Sequence, residues 1–421
     1  MKNNNLIQVF EYDLLKVNDK GFQKKHWEAL GRYNEEHGGR FFRLTPWGVK
    51  FSHYVGVIQV GALTIEILPK IGRESGEEEK ARWQKVLIDM LRECRWMHVH
   101  ADEKAYLRFK PNSILEAYLE MFIRECEEIY QRGLVKKYRF VSNNTKAWKG
   151  KMLFHQQIQT NLIHQERFFT RHQVYDRENI FNQILYKALR LVPILSQSPY
   201  LKDRVYGLLL SFPELKDIPV NESLFRNLVF DRKTEGYKEA IEIAAMLLLN
   251  FRPDISSGDN HVLAILFDMN DLWEEYIFRQ LQRVREPGWE IRPQWIKTFW
   301  KMSQPEKTKT IRPDIIVTNK KHTVILDTKW KIPENNIPDD GDLKQMFVYN
   351  EYWNGDKAVL VYPDATFNEK PVFYEGYFAG KDDDEDLHGC GILRVSVLKG
   401  EDLDPTIGQR IIGLLKEKVF V

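Results

Sequence analysis

Apolar and polar positions change period along the chain, and the changes mark out three stretches. In "HYVGVIQVGALTIEILPKI" two runs rich in β-branched residues flank Gly61, and Leu63, Ile65 and Ile67 alternate with Thr64 and Glu66. A period of two puts alternate side chains on opposite faces of a strand, so this spacing predicts a hairpin with one buried and one wet face. It sits in a β-rich module over residues 1–75. From about 77 the spacing shifts to three and four in "EEEKARWQKVLIDMLREC" and "NSILEAYLEMFIRECEEIYQRG", the second closed by Gly133. These are helices whose apolar stripes are accounted for by core packing. A basic, aromatic β segment follows near 135–175, helices resume near 178–212 and 236–251, and "RPDISSGD" breaks the pattern. Residues 76–252 therefore read as a mainly helical connector and 253–421 as a further domain, with no internal repeat.

In that last stretch "RPDIIVTNKKHTVILDTKWK" (312–331) gives apolar run, polar turn and apolar run, which is strand, turn, strand. Upstream, "HVLAILFDMNDLWEEYIFRQLQRV" reads as a helix, and downstream "GDLKQMFVYNEYW" reads as another. The expected fold is α+β and multidomain, ending in an α/β domain whose mixed sheet is flanked by helices.

Composition narrows the class. At 421 residues and 43% hydrophobic, the chain can bury a large core and exceeds one typical domain. Its 62 Lys and Arg nearly balance 60 Asp and Glu, so any surface for a polyanion must be local. Cys94, Cys126 and Cys390 lie far apart without a Cys-x-x-Cys pair, which argues against a disulfide framework and a thiolate zinc site. No signal-peptide core opens the chain, and its longest apolar run, AIEIAAMLLLNF, is interrupted by Glu242 and too short to span a bilayer. A soluble, cytoplasmic protein is expected. The acidic run "KDDDED" (381–386) lacks the Gly and terminal Glu of a calcium loop and reads as a solvated loop.

Candidate chemistry concentrates in 312–331. Asp-x-Lys and Pro-Asp each recur in the chain, but only Pro313-Asp314 precedes an apolar run, a turn and a second run ending in Asp-x-Lys. Along a strand, Asp327 and Lys329 project to one face, and the hairpin brings Asp314 beside them. Two adjacent carboxylates resist burial unless a cation lies between them, which favours a hard divalent ion such as Mg²⁺, with Lys329 placed to orient or help deprotonate a water. That set points to phosphodiester hydrolysis; the competing account is a capped turn at Asp314 and a surface Asp327–Lys329 ion pair. Glu274 or Glu275 of the upstream helix could add a carboxylate, and Gln345 and Tyr349, four apart, share a helix face. Lys136, Lys137, Arg139, Lys146, Lys149 and Lys151, interleaved with Tyr138, Phe140 and Trp148, suit DNA backbone contacts and equally a solvated hairpin face.

RPDIIV followed by VILDTKWK resembles the PD-(D/E)xK nuclease hairpin of the McrC family, the nuclease subunit of McrBC-type, modification-dependent restriction systems. "YVGVIQVGALTIEILPKI", "FDMNDLWEEYI" and "GDLKQMFVYN" are similar to further family segments and occur in the family's order; the middle carries weaker cues such as "DRENIFNQILYKAL". The resemblance implies that Asp314, Asp327 and Glu274 ligate Mg²⁺, with Mn²⁺ a possible substitute, and that Lys329 is catalytic with Gln345 and Tyr349 in support. Trp273 stands where the family often shows Phe. The resemblance also implies a partner, a McrB-like hexameric AAA+ GTPase that translocates double-stranded, modified DNA and whose GTP hydrolysis the chain stimulates, with the amino-terminal module docking. The absence of a Gly-x-x-x-x-Gly-Lys-Ser/Thr loop fits a chain that binds no nucleotide itself. Alternatives are a stand-alone RecB-like repair nuclease, or an activator of an AAA+ motor whose own site is vestigial.

Overall fold

The hairpin around Gly61 forms, but neither of its faces is wet. In the computed structural model, which describes residues 5–71, 76–96, 113–252, 261–303, 307–319, 321–364, 370–378 and 389–419, the amino-terminal segment runs β1 (Leu6–Phe10), β2 (Leu14–Lys16), α1 (Lys24–Glu36), β3 (Phe42–Thr45), β4 (Gly48–Phe51), β5 (Tyr54–Val60), β6 (Leu63–Leu68) and α2 (Glu77–Glu93). The "KDDDED" run and the break after Arg252 lie outside the described residues. β5 and β6 pair antiparallel, with Gly61 at φ 57 in the turn, and β1 joins β6 in parallel. Every residue of both hairpin strands is buried, including Gln59, Thr64 and Glu66. The reason is α2, which packs on β6: Gln84 donates its amide to Glu66 Oε2 at 2.7 Å, and Gln8 from β1 donates to the same oxygen at 2.9 Å. The face that alternation assigns to water is roofed by a helix and its polar groups are bonded there.

Residues 104–265 form a compact unit of their own. It holds α3 (Ile114–Arg132), capped by Ser113 and ended by Gly133 at φ 94, then β7 (Lys137–Thr145), β8 (Lys151–Met152), α4 (Phe154–Asn161) and β9 (Phe168–Asp176). α5 (Ile180–Leu195), α6 (Pro199–Ser211), α7 (Glu222–Arg226), α8 (Lys238–Asn250) and β10 (Phe251–Arg252) follow. The three strands of the basic segment make one antiparallel sheet in the order β7-β9-β8. Helices α3, α5, α6 and α8 bury their Leu, Ile and Phe stripes against one another.

The stretch beginning at His261, expected to be helical throughout, splits. β11 covers Val262–Asp268, and α9 (Met269–Arg283) starts where the Asp268 carboxylate accepts the Asn270 amide at 2.9 Å. A short unbroken apolar run such as Val262–Phe267 cannot be told from a helix by periodicity alone, and here it is extended. β12 (Glu290–Pro293), β13 (Lys297–Met302), β14 (Lys307–Ile311), β15 (Ile315–Thr318), β16 (Thr323–Thr328), α10 (Asp340–Trp353), β17 (Lys357–Asp364), β18 (Val372–Tyr374), β19 (Gly389–Ser396) and α11 (Ile407–Lys418) complete the chain. Six strands form a mixed sheet in the order β12-β15-β16-β17-β19-β18, with β16, β17 and β19 parallel and the other neighbours antiparallel. α10 packs Met346, Tyr349 and Trp353 onto Ile316, Ile325, Leu360 and Tyr362 of one face. The alternate positions Ile315, Val317, Val324, Leu326, Val359 and Val361 are equally buried, so both faces are covered.

Residues 1–103 and 266–421 form one compact unit. Within it α2 packs on α9, Trp83 and Trp273 crowd Trp330 with ring centroids at 6.5 and 5.4 Å, and Trp330 donates its indole N–H to buried Glu11 at 2.7 Å. The amino-terminal strands and the mixed sheet thus share one core.

Candidate active site

β15 and β16 place the predicted carboxylates. Their register pairs Ile315 with Leu326, so Asp314 and Asp327 are the next residue on each chain, and Asp327 shares the face of Ile325 that α10 covers. Asp327 is 1% exposed. Lys329 Nζ lies 2.7 Å from Asp327 Oδ2 and 3.6 Å from Asp342 Oδ1, and it donates to Gln345 Oε1 at 3.2 Å. Gln345 in turn donates its amide to the Tyr349 hydroxyl at 2.7 Å, and that hydroxyl donates to the Arg312 carbonyl at 2.7 Å. One helical turn of α10 therefore carries the support of Lys329 back to the residue two before Asp314. Asp314 Oδ2 accepts from both the backbone N–H and the hydroxyl of Thr328, at 2.7 and 2.9 Å.

The electrostatics follow from this crowding. Burial, then the charge of Asp314, pushes the Asp327 carboxyl well above the ordinary aspartate range against the pull of Lys329. Burial also raises Asp314, opposed by its two Thr328 hydrogen bonds. For Lys329 burial pulls downward, but Asp327, Asp342 and Asp314 more than offset it, and the ammonium is held charged.

α9 settles which of its two glutamates faces this cluster. Glu275 pairs with Arg279 at 2.5 Å along its own helix. Glu274 is raised to about 7 by burial and then by Asp314, and its Oε1 accepts from Gln294 Nε2 at 2.7 Å. Sequence reasoning missed Gln294: it stands at φ 47, just past β12, and its backbone N–H also bonds the Asp314 carbonyl at 2.9 Å. A glutamine in left-handed backbone is uncommon enough to mark, yet nothing in the spacing gives that away. Asp342 and Thr328 were missed too, although both lie inside segments that had drawn attention for other residues.

The predicted basic residues belong to the 104–265 unit. Lys137 pairs with Asp231 at 3.1 Å and lies over the Phe181 ring, and Arg139 is bidentate on Asp176 and also meets Glu178 at 2.6 Å. Both are therefore ion-paired within their own unit. Lys136, Lys146, Lys149 and Lys151 stay exposed.

Does this set suit a divalent ion? Asp327 Oδ1 is buried and meets no hydrogen-bond donor, and such an oxygen is costly unless something positive completes it. Asp314 and Asp327 are hard oxygen donors of the type Mg²⁺ takes. The pair fits. The third expected ligand does not join it in this arrangement: Glu274 is bonded to Gln294, and among the described residues no three His, Cys, Asp or Glu side chains gather closely enough to hold an ion.

The comparisons with known proteins first define a class. A family model described as "McrBC 5-methylcytosine restriction system component" matches residues 49–363, so the chain is a component of that kind of restriction system. It belongs to the McrBC family. Among solved structures, the chain is similar to one in the refined half-complex from a tetradecameric assembly of Thermococcus gammatolerans McrB AAA+ hexamers with bound McrC, at 20% identity and TM-score 0.72, covering 97% of this chain and 100% of that one. A second likeness, to a chain of the T. gammatolerans McrBC complex, has 22% identity and TM-score 0.51 and covers 67% of this chain and 89% of that one. At these identities both speak to the fold. No curated protein matches the chain, and among the described residues no helix is long and apolar enough to cross a membrane.

Proposed function

We propose that the chain is the DNA-cutting subunit of an McrBC-like restriction complex. In this reading it is a Mg²⁺-dependent endodeoxyribonuclease of PD-(D/E)xK layout that works docked on a McrB-like hexameric AAA+ GTPase and stimulates its GTP hydrolysis. The observation that carries the reading is the buried Asp327 carboxylate, one oxygen on Lys329 and the other without a donor, across the hairpin from Asp314. A surface ion pair on a strand edge would be solvated on both sides, and this one is not.

Asp314 and Asp327 would hold the cation, and when bound it supplies Lewis acidity and charge neutralisation at the scissile phosphate. Lys329, kept charged by the surrounding carboxylates, offsets charge on the phosphate as water adds to phosphorus, the water's proton passing to solvent and one ester oxygen leaving as its P–O bond breaks. The Gln345 amide oxygen fixes the direction of the ammonium, and Tyr349 fixes Gln345 by anchoring it to the Arg312 carbonyl. Glu274, whose carboxyl lies close enough to Asp314 for their charges to interact, would be the third ligand that the resemblance implies.

The test is cleavage of methylated plasmid by the chain assembled with its GTPase, comparing wild type with Asp327→Asn and Lys329→Ala. Each variant is expected to cut at least about a hundredfold more slowly, while Asp327→Asn still stimulates GTP hydrolysis. Cutting by Asp327→Asn at the wild-type rate would show the site to be wrongly assigned.

A further inference from the structure

β13 and β14 form a two-stranded hairpin that stands apart from the mixed sheet. Its strands are exposed along nearly their whole length, including Phe299 and Trp300 at 45% and 44%. A lone two-stranded ribbon is marginal in water, and this one is held at its base. Tyr352 donates its hydroxyl to the Phe299 carbonyl at 3.3 Å, Lys297 donates to the Tyr352 carbonyl at 2.6 Å, and Ile311 packs into the core under α10. The register pairs Trp300 with Lys309 and Met302 with Lys307, after an irregularity at Phe299, so these four side chains occupy one face. Lys301 lies on the other.

Every charged residue in the described part of the hairpin is a lysine. None of Lys301, Lys307 and Lys309 has an ion-pair partner among the described residues, whereas lysines elsewhere in the same unit do, as Lys344 does with Asp340 and Lys331 with Asp342. β14 runs directly into the site: only Arg312 and Pro313 separate Ile311 from Asp314, so the base of the ribbon lies within about 10 Å of chain from that carboxylate. Lys307 and Lys309, two residues apart, sit about 7 Å from each other along the strand, close to the step between neighbouring phosphates of one DNA strand.

From this we infer that strands β13 and β14 are a duplex-DNA clamp of this chain, with Lys307 and Lys309 on the phosphate backbone a few nucleotides from the bond to be cut. The inference deepens the nuclease reading and rests on it. The substrate is sequence-blind at this contact, because lysines on phosphates carry no base information. Reading of modified bases must then come from elsewhere in the assembly.

The experiment measures binding of a short fluorescein-labelled DNA duplex by anisotropy across a salt series, with the full chain alone and assembled with its GTPase, alongside plasmid cleavage. For Lys307→Ala/Lys309→Ala the slope of log affinity against log salt is expected to fall by about 2 and affinity at moderate salt by about tenfold; circular dichroism checks the fold. Asp327→Asn is expected to bind like wild type and not cut. If the double-lysine variant binds with unchanged slope and affinity, or if wild type binds no duplex in either form, the clamp is overturned. If the lysine pair matters for binding but Asp327→Asn still cuts, the clamp stands as a DNA contact and the site assignment is what fails.

Discussion

Asp327 shows how a single residue can be poor for stability and required for chemistry. Its carboxylate is buried with an unfilled oxygen, and burial and Asp314 both oppose its charge. Asp327→Asn keeps the shape and removes the charge. In the absence of divalent ions it is expected to raise thermal stability by about 1 kcal/mol, and to lose the increase in Tm that Mg²⁺ gives wild type. A calorimetric scan of both proteins with and without Mg²⁺ decides it: an equal Mg²⁺ shift in both would remove Asp327 from the ligand set. Gln294 carries a second prediction. It touches Glu274 by its side chain and Asp314 by its backbone, so Gln294→Ala is expected to slow cleavage about tenfold through loosened positioning with little change in Tm. A fall in Tm matching the fall in rate would make it a purely structural residue. The Asp-x-Lys spacing was legible in the sequence because strand alternation alone fixes which side chains share a face. Gln294 was not, because its role depends on a positive φ that no neighbour in the sequence demands.

At the scale of elements, the packing of α11 on α9 offers a sharp contrast between two glycines. A Cβ at Gly408 would lie 2.3 Å from the Gln280 carbonyl oxygen, a backbone atom that cannot swing aside, whereas Gly413 on the same helix faces open space. Gly408→Ala is therefore expected to destabilise by about 1 to 3 kcal/mol through overpacking, and Gly413→Ala to stabilise by about 0.5 to 1 kcal/mol through helix propensity. Urea unfolding of the two variants measures both; equal effects would mean that the helices are not in backbone contact at Gly408. The elements also show where periodicity misleads. β6 alternates as a half-exposed strand does, yet α2 covers its polar face and Gln84 bonds Glu66. β11 reads like part of a helix because its run of six apolar residues, Val262 to Phe267, has no period of its own. For β6 the deciding partner is distant in sequence.

At the scale of the whole molecule, Glu11 ties the amino-terminal strands to the mixed sheet of the same unit. Its carboxyl is buried, accepts from the Trp330 indole and the Lys70 backbone, and is raised from 4.5 to about 7, by burial first, with those two bonds pulling the other way. Asp268 adds to the rise and the Lys70 ammonium opposes it. A carboxyl whose folded value lies above its unfolded value holds its proton more tightly when folded. Its contribution is therefore most favourable at pH below 4.5 and is lost as pH climbs through about 7, a loss on the order of 3 kcal/mol for a shift of this size. Glu11→Gln is expected to flatten the fall in Tm across that window while leaving the low-pH value nearly unchanged. A pH profile parallel to wild type would place the titration elsewhere. That the first and last thirds of the chain share a core was invisible in the linear pattern, because the Trp83, Trp273 and Trp330 cluster is assembled from positions far apart in sequence.

Local rules therefore settled what is local: which runs are strands around the 318–323 turn, where α3, α5 and α8 begin, that Asp327 and Lys329 share a face, and that Gln345 and Tyr349 stack on one side of a helix. Tertiary structure decided what depends on partners. It set Glu274 near Asp314 and paired Glu275 with Arg279, paired Lys137 and Arg139 within their own unit, buried the second face of the amino-terminal hairpin, and, among the described residues, left Lys307 and Lys309 without an ion-pair partner. The physical reason is one of range. Backbone sterics and side-chain alternation act over a few residues, while desolvation and ion pairing depend on whichever side chain the fold brings within a few ångströms.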